Sequence, residues 1–263
     1  MNRLERKWRE LRRSGKKALI PFITAGDPNL MATKRLIGAL ERGGADIIEL
    51  GIPFSDPMAD GPVIQKASER ALAKGTTLRK VLSLVREVRR KNGVPILLMG
   101  YYNPILAYGL GAYARDAARS GVDATLVVDL PPEESAELDC ELRKVGIDLI
   151  YLLTPTSDAE RIRRVAKRAR GFIYFVSITG ITGAKLRSEG EIRRKVAEIR
   201  RRTSLPIAVG FGISRPDQAR KISKFADGVV IGSALVSLIQ QRSSSKNFIQ
   251  AAEKFIRAVK RGL

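Results

Sequence analysis

A carboxyl group at the end of an apolar run is the first feature of this sequence that could carry acid–base chemistry. Glu49 lies near the end of the run 45–50, and Asp60 follows after a loop that contains Pro53 and Pro57. Burial disfavours the charged form of a carboxyl group, so it would raise the pKa of Glu49 and keep the group protonated near neutral pH. A protonated carboxyl group can donate a proton to a substrate and later take one back. These two residues therefore indicate acid–base catalysis.

The acidic residues of this segment also have purely structural interpretations, which the sequence leaves open. Glu49 could be a buried carboxylate that backbone N–H groups satisfy, although an isolated buried charge costs considerable free energy. Asp60 could be the N-cap of a helix that starts near Pro62, and Asp56 could form an Asp-Pro turn. Asp56 and Asp60 cannot both cap that helix, so at least one of them is available for another task.

Glycine-rich segments in the second half of the chain suggest a binding site for a phosphate group. Backbone N–H groups of such segments, followed by the N-terminus of a helix, can enclose an anion. Each glycine taken alone could instead serve a tight turn. Three segments share this composition: 179–184 (TGITGA), 210–214 (GFGIS) and 232–233 (GS).

The composition excludes several classes of active site. The 263 residues include no histidine and one cysteine, Cys140. A Ser-His-Asp triad, a Cys-His pair, a His-ligated zinc ion and a disulfide framework are therefore ruled out, and no metal site is predicted. A single cysteine suits a reducing compartment, and the basic start lacks the apolar run of a secretory signal, so we expect a cytoplasmic protein. No apolar run approaches the roughly 18 residues of a membrane span, so we expect no membrane partner.

The chain is strongly basic, with 48 Lys and Arg residues against 27 Asp and Glu residues and a formal net charge of +21. Such a balance raises the question of nucleic-acid binding. The basic residues, however, alternate with apolar positions inside segments of helical periodicity, as on the solvated face of an amphipathic helix. No aromatic residues that could stack on bases are interleaved with them. We therefore predict a solvated basic surface and no specific nucleic-acid partner.

Short apolar runs alternate with longer amphipathic stretches along the sequence. Runs that are apolar at nearly every position are typical of parallel strands, which are buried on both faces. Eight strands with intervening helices in about 250 residues predict a closed (β/α)8 barrel, also called a TIM barrel, rather than an open doubly wound sheet. No linker divides the chain, so we predict one domain over residues 1–263, with an extra N-terminal helix and extra short helices after strands 2 and 8. The predicted strands are 18–24, 45–50, 94–99, 124–129, 148–153, 172–177, 206–211 and 228–232.

This fold determines where the functional residues must lie. Active sites of such barrels are formed by the C-terminal ends of the strands and the loops that follow them, and phosphate commonly binds after strands 7 and 8. Glu49 lies at such an end, so its side chain is expected to point into the mouth of the barrel. The three glycine-rich segments follow strands 6, 7 and 8, which strengthens the prediction of a phosphate site.

Longer motifs of the sequence resemble the tryptophan synthase alpha chain family, in order, from about Ala18 to Leu235. These motifs are IPFITAGDPN, ELGIPFSDPMADGPVIQ, GYYNPIL, VVDLPPEES, SITGITG, GFGIS and IGSALV. The resemblance implies a (β/α)8 barrel that cleaves indole-3-glycerol phosphate to indole and glyceraldehyde 3-phosphate in the last steps of tryptophan biosynthesis. By this resemblance the chain is expected to be a lyase.

The resemblance also implies roles for individual residues. Glu49 matches the principal acid–base residue of the family, Asp60 matches the aspartate that holds the indole N–H, and Tyr174 matches its tyrosine on strand 6. Asp129 is expected to organise loops, and Thr182 to help order Asp60. The residues expected to bind the phosphate are Gly183, Gly212, Gly232 and Ser233. Those expected to line the indole pocket are Phe22, Tyr101, Leu126, Leu152 and Phe211.

The family normally works with a second subunit. By resemblance we expect an alpha2beta2 tetramer with a tryptophan synthase beta chain, which uses pyridoxal phosphate to join indole to serine. No cofactor is expected in the present chain. The loops 53–60 and 179–187 are expected to face the beta chain and to close when it binds.

Three alternatives to this function remain open at the level of sequence. Another phosphosugar enzyme of the same fold would need a Schiff-base lysine or a different acid pair at a strand end, and Lys16, Lys17 and Lys185 all lie elsewhere. The chain could also be a free-standing indole-glycerol-phosphate lyase that needs no partner. Finally, it could be a non-catalytic activator of a beta chain or a basic RNA-binding module, although the candidate catalytic residues are all present.

Overall fold

Eight parallel strands close into a barrel in the order of the sequence, each paired with the next and β8 paired with β1. The computed structural model describes residues 1–177, 188–210 and 212–263. The predicted barrel and its eight predicted strands are confirmed, with ends that differ by a few residues at most. The strands are β1 (Ala18–Thr24), β2 (Ile48–Gly51), β3 (Ile96–Gly100), β4 (Ala124–Val127), β5 (Asp148–Leu153), β6 (Ile173–Val176), β7 (Ile207–Gly210) and β8 (Gly228–Ile231).

Twelve helices in the described residues accompany these strands. One, α1, precedes the first strand as predicted, and pairs of helices follow β2 and β8, where the sequence predicts extra helices. None of the helices in the described part of the chain is long and apolar enough to cross a membrane. The helices are α1 (Arg3–Arg13), α2 (Leu30–Arg42), α3 (Pro62–Ala73), α4 (Leu78–Arg89), α5 (Tyr102–Tyr108), α6 (Leu110–Ser120), α7 (Ala136–Lys144), α8 (Ala159–Arg168), α9 (Glu189–Arg200), α10 (Pro216–Ser223), α11 (Ser233–Arg242) and α12 (Phe248–Lys260).

The pair of helices after β3 is not predicted from the sequence. The first of the two, α5, has 7 residues and contains Pro104, so it is too short to display an apolar stripe. Its N-terminus is held from another loop, because the Asp129 carboxylate accepts a hydrogen bond from the Tyr102 N–H at 2.8 Å. This contact is the loop-organising role that is predicted for Asp129.

Alternate residues of the strands face the barrel interior and the surrounding helices. In β1, Ala18, Ile20 and Phe22 belong to the interior cluster, whereas Leu19 and Ile23 belong to the larger cluster between the barrel and the helices. Because a residue on either face is buried, the strands must be apolar at nearly every position. A polar side chain inside the barrel therefore needs a chemical or structural reason.

Helix α1 closes the N-terminal end of the barrel. Trp8 is buried and packs against Phe172 with ring centroids 5.5 Å apart. Gly228 leaves room for this ring, since a Cβ atom there would lie 2.9 Å from Trp8. The opposite end of the barrel is therefore the one available for chemistry.

Aspartates located just before strands link neighbouring strands at the N-terminal end of the barrel. Each carboxylate accepts a hydrogen bond from an N–H near the start of the preceding strand, and each also pairs with a basic side chain. Part of the surplus of basic residues is thus used to hold neighbouring strands together. The N–H partners are Leu19 for Asp46 at 2.8 Å, Ile96 for Asp123 at 2.9 Å and Ile207 for Asp227 at 2.9 Å, and the basic partners are Lys260, Arg89 and Arg200 respectively.

Replacement of Asp123 should destabilise the barrel strongly. Asp123 and the side chain of Arg89 are 2% and 9% exposed and bind each other at 2.6 Å. Asp123→Asn leaves the buried guanidinium without its counter-charge, so the free energy of unfolding should fall by about 3–5 kcal/mol in urea denaturation. The control Glu160→Gln removes a carboxylate that is 69% exposed and pairs with Arg164. It should cost less than about 1 kcal/mol, and equal losses in the two variants would contradict this role of Asp123.

Candidate active site

The candidate catalytic side chains meet at the C-terminal end of the barrel. Phe22 and Glu49 are register partners on β1 and β2, and Tyr174 on β6 belongs to the same interior cluster as Phe22. Asp60 comes from the loop between β2 and α3, and its charge acts on both Glu49 and Tyr174. The structure therefore brings together the three residues that are predicted to be catalytic.

Glu49 is buried in a largely apolar setting. It is 1% exposed, and its Oε1 atom has no hydrogen-bond partner among the described residues. Burial, helped by the nearby charge of Asp60, raises the pKa of Glu49 from 4.5 to about 8, although a hydrogen bond with Tyr174 acts in the opposite direction. The carboxyl group is therefore mostly protonated at neutral pH and can act as a proton donor.

Asp60 is also buried but keeps more of its charge near neutral pH. Burial raises its pKa from 3.8 to about 6, and a hydrogen bond with the Tyr101 hydroxyl acts in the opposite direction. Its Oδ1 atom has no hydrogen-bond partner within the described part of the chain. At pH 7 Asp60 is mostly ionised while Glu49 is mostly protonated, so two carboxyl groups of one cluster carry different charges.

Neither aspartate of the loop after β2 caps helix α3. The N-cap residue is Gly61, which makes no side-chain hydrogen bond, and Pro62 is the first residue of the helix. Asp56 is exposed and accepts a hydrogen bond from the Ser55 hydroxyl at 2.5 Å. The interpretation of Asp60 as an N-cap is therefore wrong, since its carboxyl group lies in the cluster with Glu49.

Two glycines at strand ends make room for aromatic residues of the site. A Cβ atom at Gly210 of β7 would lie 2.6 Å from the Tyr174 hydroxyl oxygen, and one at Gly51 of β2 would lie 2.6 Å from the Phe22 ring. The sequence predicts Gly210 only as part of a phosphate-binding segment, and it predicts no role for Gly51. Glycine inside a strand pattern is the signal that indicates close packing at such positions.

The N-terminus of α11 lies directly after β8, where the sequence predicts a phosphate site. Gly232 is the N-cap residue of this helix of 10 residues, and Ser233 is its first residue. The first hydrogen bond of the helix runs from the Val236 N–H to the Gly232 carbonyl oxygen at 3.0 Å, so the N–H groups before it point out of the helix end. Gly212, after β7, is exposed and has a φ angle of +75°. N–H groups in such positions can bind a phosphate group.

The remaining predicted residues divide into two groups. Tyr101 and Leu126 are buried, and Leu152 is half-buried against the interior cluster. The others lie outside the described residues: Thr182, Gly183, Phe211 and the loop 179–187. Among the described residues, no group of three His, Cys, Asp or Glu side chains could hold a metal ion.

Known sequences place the chain within one family. The family profile described as tryptophan synthase alpha chain matches residues 8–262. The tryptophan synthase alpha chain of Geobacter sulfurreducens is 56% identical over 246 residues, which cover 94% of this chain and 93% of that protein. The alpha chain of Citrifermentans bemidjiense is 52% identical, and the match covers 100% of this chain and 98% of that protein. The chain belongs to the tryptophan synthase alpha chain family.

Solved structures related to the tryptophan synthase alpha chain family share this fold. Tryptophan synthase subunit alpha from Legionella pneumophila has a TM-score of 0.93 and 39% identity, and the match covers 100% of this chain and 98% of that chain. A chain of the tryptophan synthase complex from Pyrococcus furiosus has a TM-score of 0.82 and 36% identity, with coverages of 92% and 97%. The family that the sequence motifs indicate is thereby confirmed.

One polar residue near the site is not predicted from the sequence. Gln65, on α3, donates a hydrogen bond from Nε2 to the carbonyl oxygen of Asp60 at 2.9 Å. Gln65 lies within the motif ELGIPFSDPMADGPVIQ, which the family resemblance includes. Its type and spacing alone are those of an ordinary residue in the first turns of a helix, so they give no signal of this contact.

Titration of Glu49 should make the stability of the protein depend on pH. The folded state keeps the Glu49 proton up to about pH 8, whereas the unfolded chain loses it near pH 4.5, so the free energy of unfolding should fall as the pH rises between these values. Glu49→Gln removes this titration and keeps the shape of the side chain. The variant should therefore gain stability relative to the wild type from about pH 5 to about pH 8, measured by urea denaturation at each pH.

The exposed Glu160 provides the control for this pH series. Glu160→Gln should show no growing difference from the wild type, because its carboxylate is 69% exposed. If the difference in stability between Glu49→Gln and the wild type stays constant across the series, Glu49 is not a buried protonated acid.

Proposed function

We propose that this chain cleaves indole-3-glycerol phosphate to indole and glyceraldehyde 3-phosphate by a retro-aldol reaction, as the alpha subunit of tryptophan synthase. The observation that carries the proposal is the buried, protonated Glu49 carboxyl group beside Tyr174 and the ionised Asp60, at the end of a (β/α)8 barrel. Membership in the tryptophan synthase alpha chain family supports the same reaction.

Cleavage of the bond between indole C3 and the glycerol chain needs two proton transfers. C3 accepts a proton, which makes the ring an indolenine cation, and the hydroxyl group on the adjacent side-chain carbon loses one. As that hydroxyl becomes the aldehyde carbonyl, the carbon–carbon bond breaks and its electron pair returns to the ring. Glu49 donates the proton to C3 and, once ionised, accepts the hydroxyl proton, so the catalyst is regenerated.

Asp60 and Tyr174 support Glu49 in different ways. Protonation of C3 places positive charge on the ring nitrogen, and the ionised Asp60 stabilises that charge, a contribution of roughly 3 kcal/mol in comparable sites. Tyr174 hydrogen-bonds with Glu49 and so orients its carboxyl group. Phe22 and Leu126 provide apolar walls for the indole ring.

The phosphate group of the substrate binds at the N-terminus of α11. Gly232 and Ser233 supply N–H groups there, Gly212 contributes from the neighbouring loop, and Gly183 contributes from the loop after β6. The partial positive charge at a helix N-terminus adds a favourable interaction with the dianion. Binding energy gained at this remote group positions the scissile bond over Glu49.

The proposal includes a beta-chain partner and no cofactor in this chain. A solved relative is the tryptophan synthase complex from Pyrococcus furiosus, and Met58 in the loop 53–60 is 71% exposed. Its position leaves this apolar side chain available for a contact with another protein. We assign the interface of a cytoplasmic alpha2beta2 assembly to the loops 53–60 and 179–187, with pyridoxal phosphate held by the beta chain. Closure of these loops would exclude water from Glu49.

Glu49→Gln should abolish the release of indole from indole-3-glycerol phosphate. The amide keeps the shape of the side chain but has no proton acidic enough to transfer, so kcat should fall by about a thousandfold while the substrate still binds. Asp60→Asn should lose somewhat less, because it keeps an acceptor oxygen and loses only the charge. Steady-state measurement of indole release checks both variants, and activity of Glu49→Gln within tenfold of the wild type would refute the assignment.

The lone chain should be a slow lyase that its partner activates. Indole release is measured with and without a cognate beta chain, for the wild type and for Met58→Ala and Asp56→Ala, which should bind the beta chain more weakly. Met31→Ala is the matched control, because Met31 is 67% exposed but lies on α2. Full activity of the lone chain, with no effect of either loop variant on association, would instead indicate a free-standing lyase.

A further inference from the structure

Asp60 is the last residue of a tight turn. Side chains from two other parts of the chain hold this turn in place. The turn comprises residues 57–60, and it is closed by a hydrogen bond from the Asp60 N–H to the Pro57 carbonyl oxygen at 2.9 Å. Its tip, Met58, is exposed, whereas Asp60 is buried. The backbone of the turn therefore passes from solvent to the catalytic cluster within a few residues.

Gln65 contacts this turn from helix α3. Its Nε2 atom donates to the Asp60 carbonyl oxygen at 2.9 Å and to the Pro57 carbonyl oxygen at 3.4 Å. Both neighbours of the amide are acceptors, so the orientation of the side-chain amide follows from the chemistry. Pro57 thus accepts from both Gln65 and Asp60, and the Gln65 amide bridges the two ends of the turn.

Helix α3 is itself fixed to the loop after β1. Arg70 binds the buried Asp27 through two hydrogen bonds of 2.9 and 2.8 Å, and Lys74 donates to the Pro28 carbonyl oxygen at 2.6 Å. Bidentate pairs between arginine and a carboxylate hold a defined geometry. Helix α3, which carries Gln65, is therefore held in place by contacts that do not involve the turn.

Tyr101, the residue that follows β3, also contacts this turn. Its hydroxyl oxygen accepts a hydrogen bond from the Ala59 N–H at 3.0 Å, and the hydroxyl group hydrogen-bonds with the Asp60 carboxyl group. The turn is thus held by a side chain of α3 and by that of the residue after β3. Gln65 hydrogen-bonds to backbone atoms of the turn, whereas Tyr101 hydrogen-bonds both to the backbone and to the Asp60 side chain.

We propose that Gln65 is a positioning residue that keeps the Asp60 carboxylate in the catalytic cluster by holding the backbone of the turn 57–60. The proposal rests on the proposed function of the site, in which Asp60 stabilises positive charge on the indole ring. The hydrogen bonds from Gln65 to this turn go to backbone carbonyl oxygens and not to the Asp60 carboxylate, so Gln65 acts through the position of Asp60.

Burial of the Asp60 carboxylate costs free energy, which explains why the turn must be held in place. A buried carboxylate with an oxygen that lacks a partner gains hydration if it moves toward solvent. Within the described residues, the charge of Asp60 raises the pKa values of Glu49, Tyr101 and Tyr174, and none of these three groups carries a positive charge. Among the described residues, the contacts of Gln65 with the backbone of the turn and those of Tyr101 oppose an outward movement of the turn.

Gln65→Met tests the proposal, with Lys66→Met as its matched control. Methionine keeps the length of the side chain but cannot donate a hydrogen bond, and Lys66 is the exposed next residue of the same helix. For the full chain, with and without a beta chain, we expect Gln65→Met to lower kcat for indole release about tenfold and to change KM less than twofold. The acidic limb of the pH profile of kcat should move to lower pH, because a more hydrated Asp60 loses its proton more readily.

A second variant and a spectroscopic measurement keep the test decisive. Gln65→Glu places an acidic group against two carbonyl oxygens, so it should lower kcat at least as much as Gln65→Met. If Gln65→Met matches Lys66→Met in kcat and in pH profile, the proposal is overturned. If the wild type releases no indole, the proposed function fails instead. In that case the positioning role of Gln65 is tested by NMR titration of Asp60 in carbon-13-labelled protein. A lower pKa of Asp60 in Gln65→Met than in the wild type supports this role, and an unchanged pKa overturns it.

Discussion

The burial of one carboxyl group, that of Glu49, is the interaction on which the rest of the site depends. The barrel interior is filled with apolar side chains, so a charge at this position costs free energy and the neutral acid is favoured. Because β2 places Glu49 in this interior, its carboxyl group stays protonated at neutral pH and can donate a proton. Tyr174 orients this group, Gly210 gives Tyr174 room, and Asp60 complements its charge state.

Buried carboxyl groups differ in their hydrogen-bond partners between the two ends of the barrel. At the N-terminal end, Asp123 accepts hydrogen bonds from a backbone N–H and from Arg89, so its charge is satisfied and holds strands together. At the C-terminal end, Glu49 and Asp60 each keep an oxygen without a partner among the described residues. Satisfied carboxylates stabilise a fold, whereas unsatisfied ones lower its stability and remain available for a reaction. The fold therefore separates the groups that stabilise it from those proposed to react.

The barrel and its two central carboxyl groups could be predicted from the sequence because they depend on local patterns. Apolar runs and the positions of acidic residues at their ends are visible along the chain. Helix α5 could not be predicted, since it is short and Asp129 of another loop holds its N-terminus. The roles of Gly210 and Gln65 likewise depend on residues that the fold brings close, Tyr174 for the first and the turn 57–60 for the second. Such roles follow from contacts and not from residue type.

Glu49 and Asp60 differ in what holds them, and this difference indicates where the site can be regulated. Glu49 belongs to a strand that is hydrogen-bonded on both sides, so its position is set by the barrel. Asp60 belongs to a turn that the side chains of Gln65 and Tyr101 hold, and the tip of this turn, Met58, is exposed. A partner that contacts this tip would act on the position of Asp60 and leave the proton donor in place. In the proposed reaction Asp60 interacts with charge that develops only in the transition state, so such a partner would change kcat more than substrate affinity.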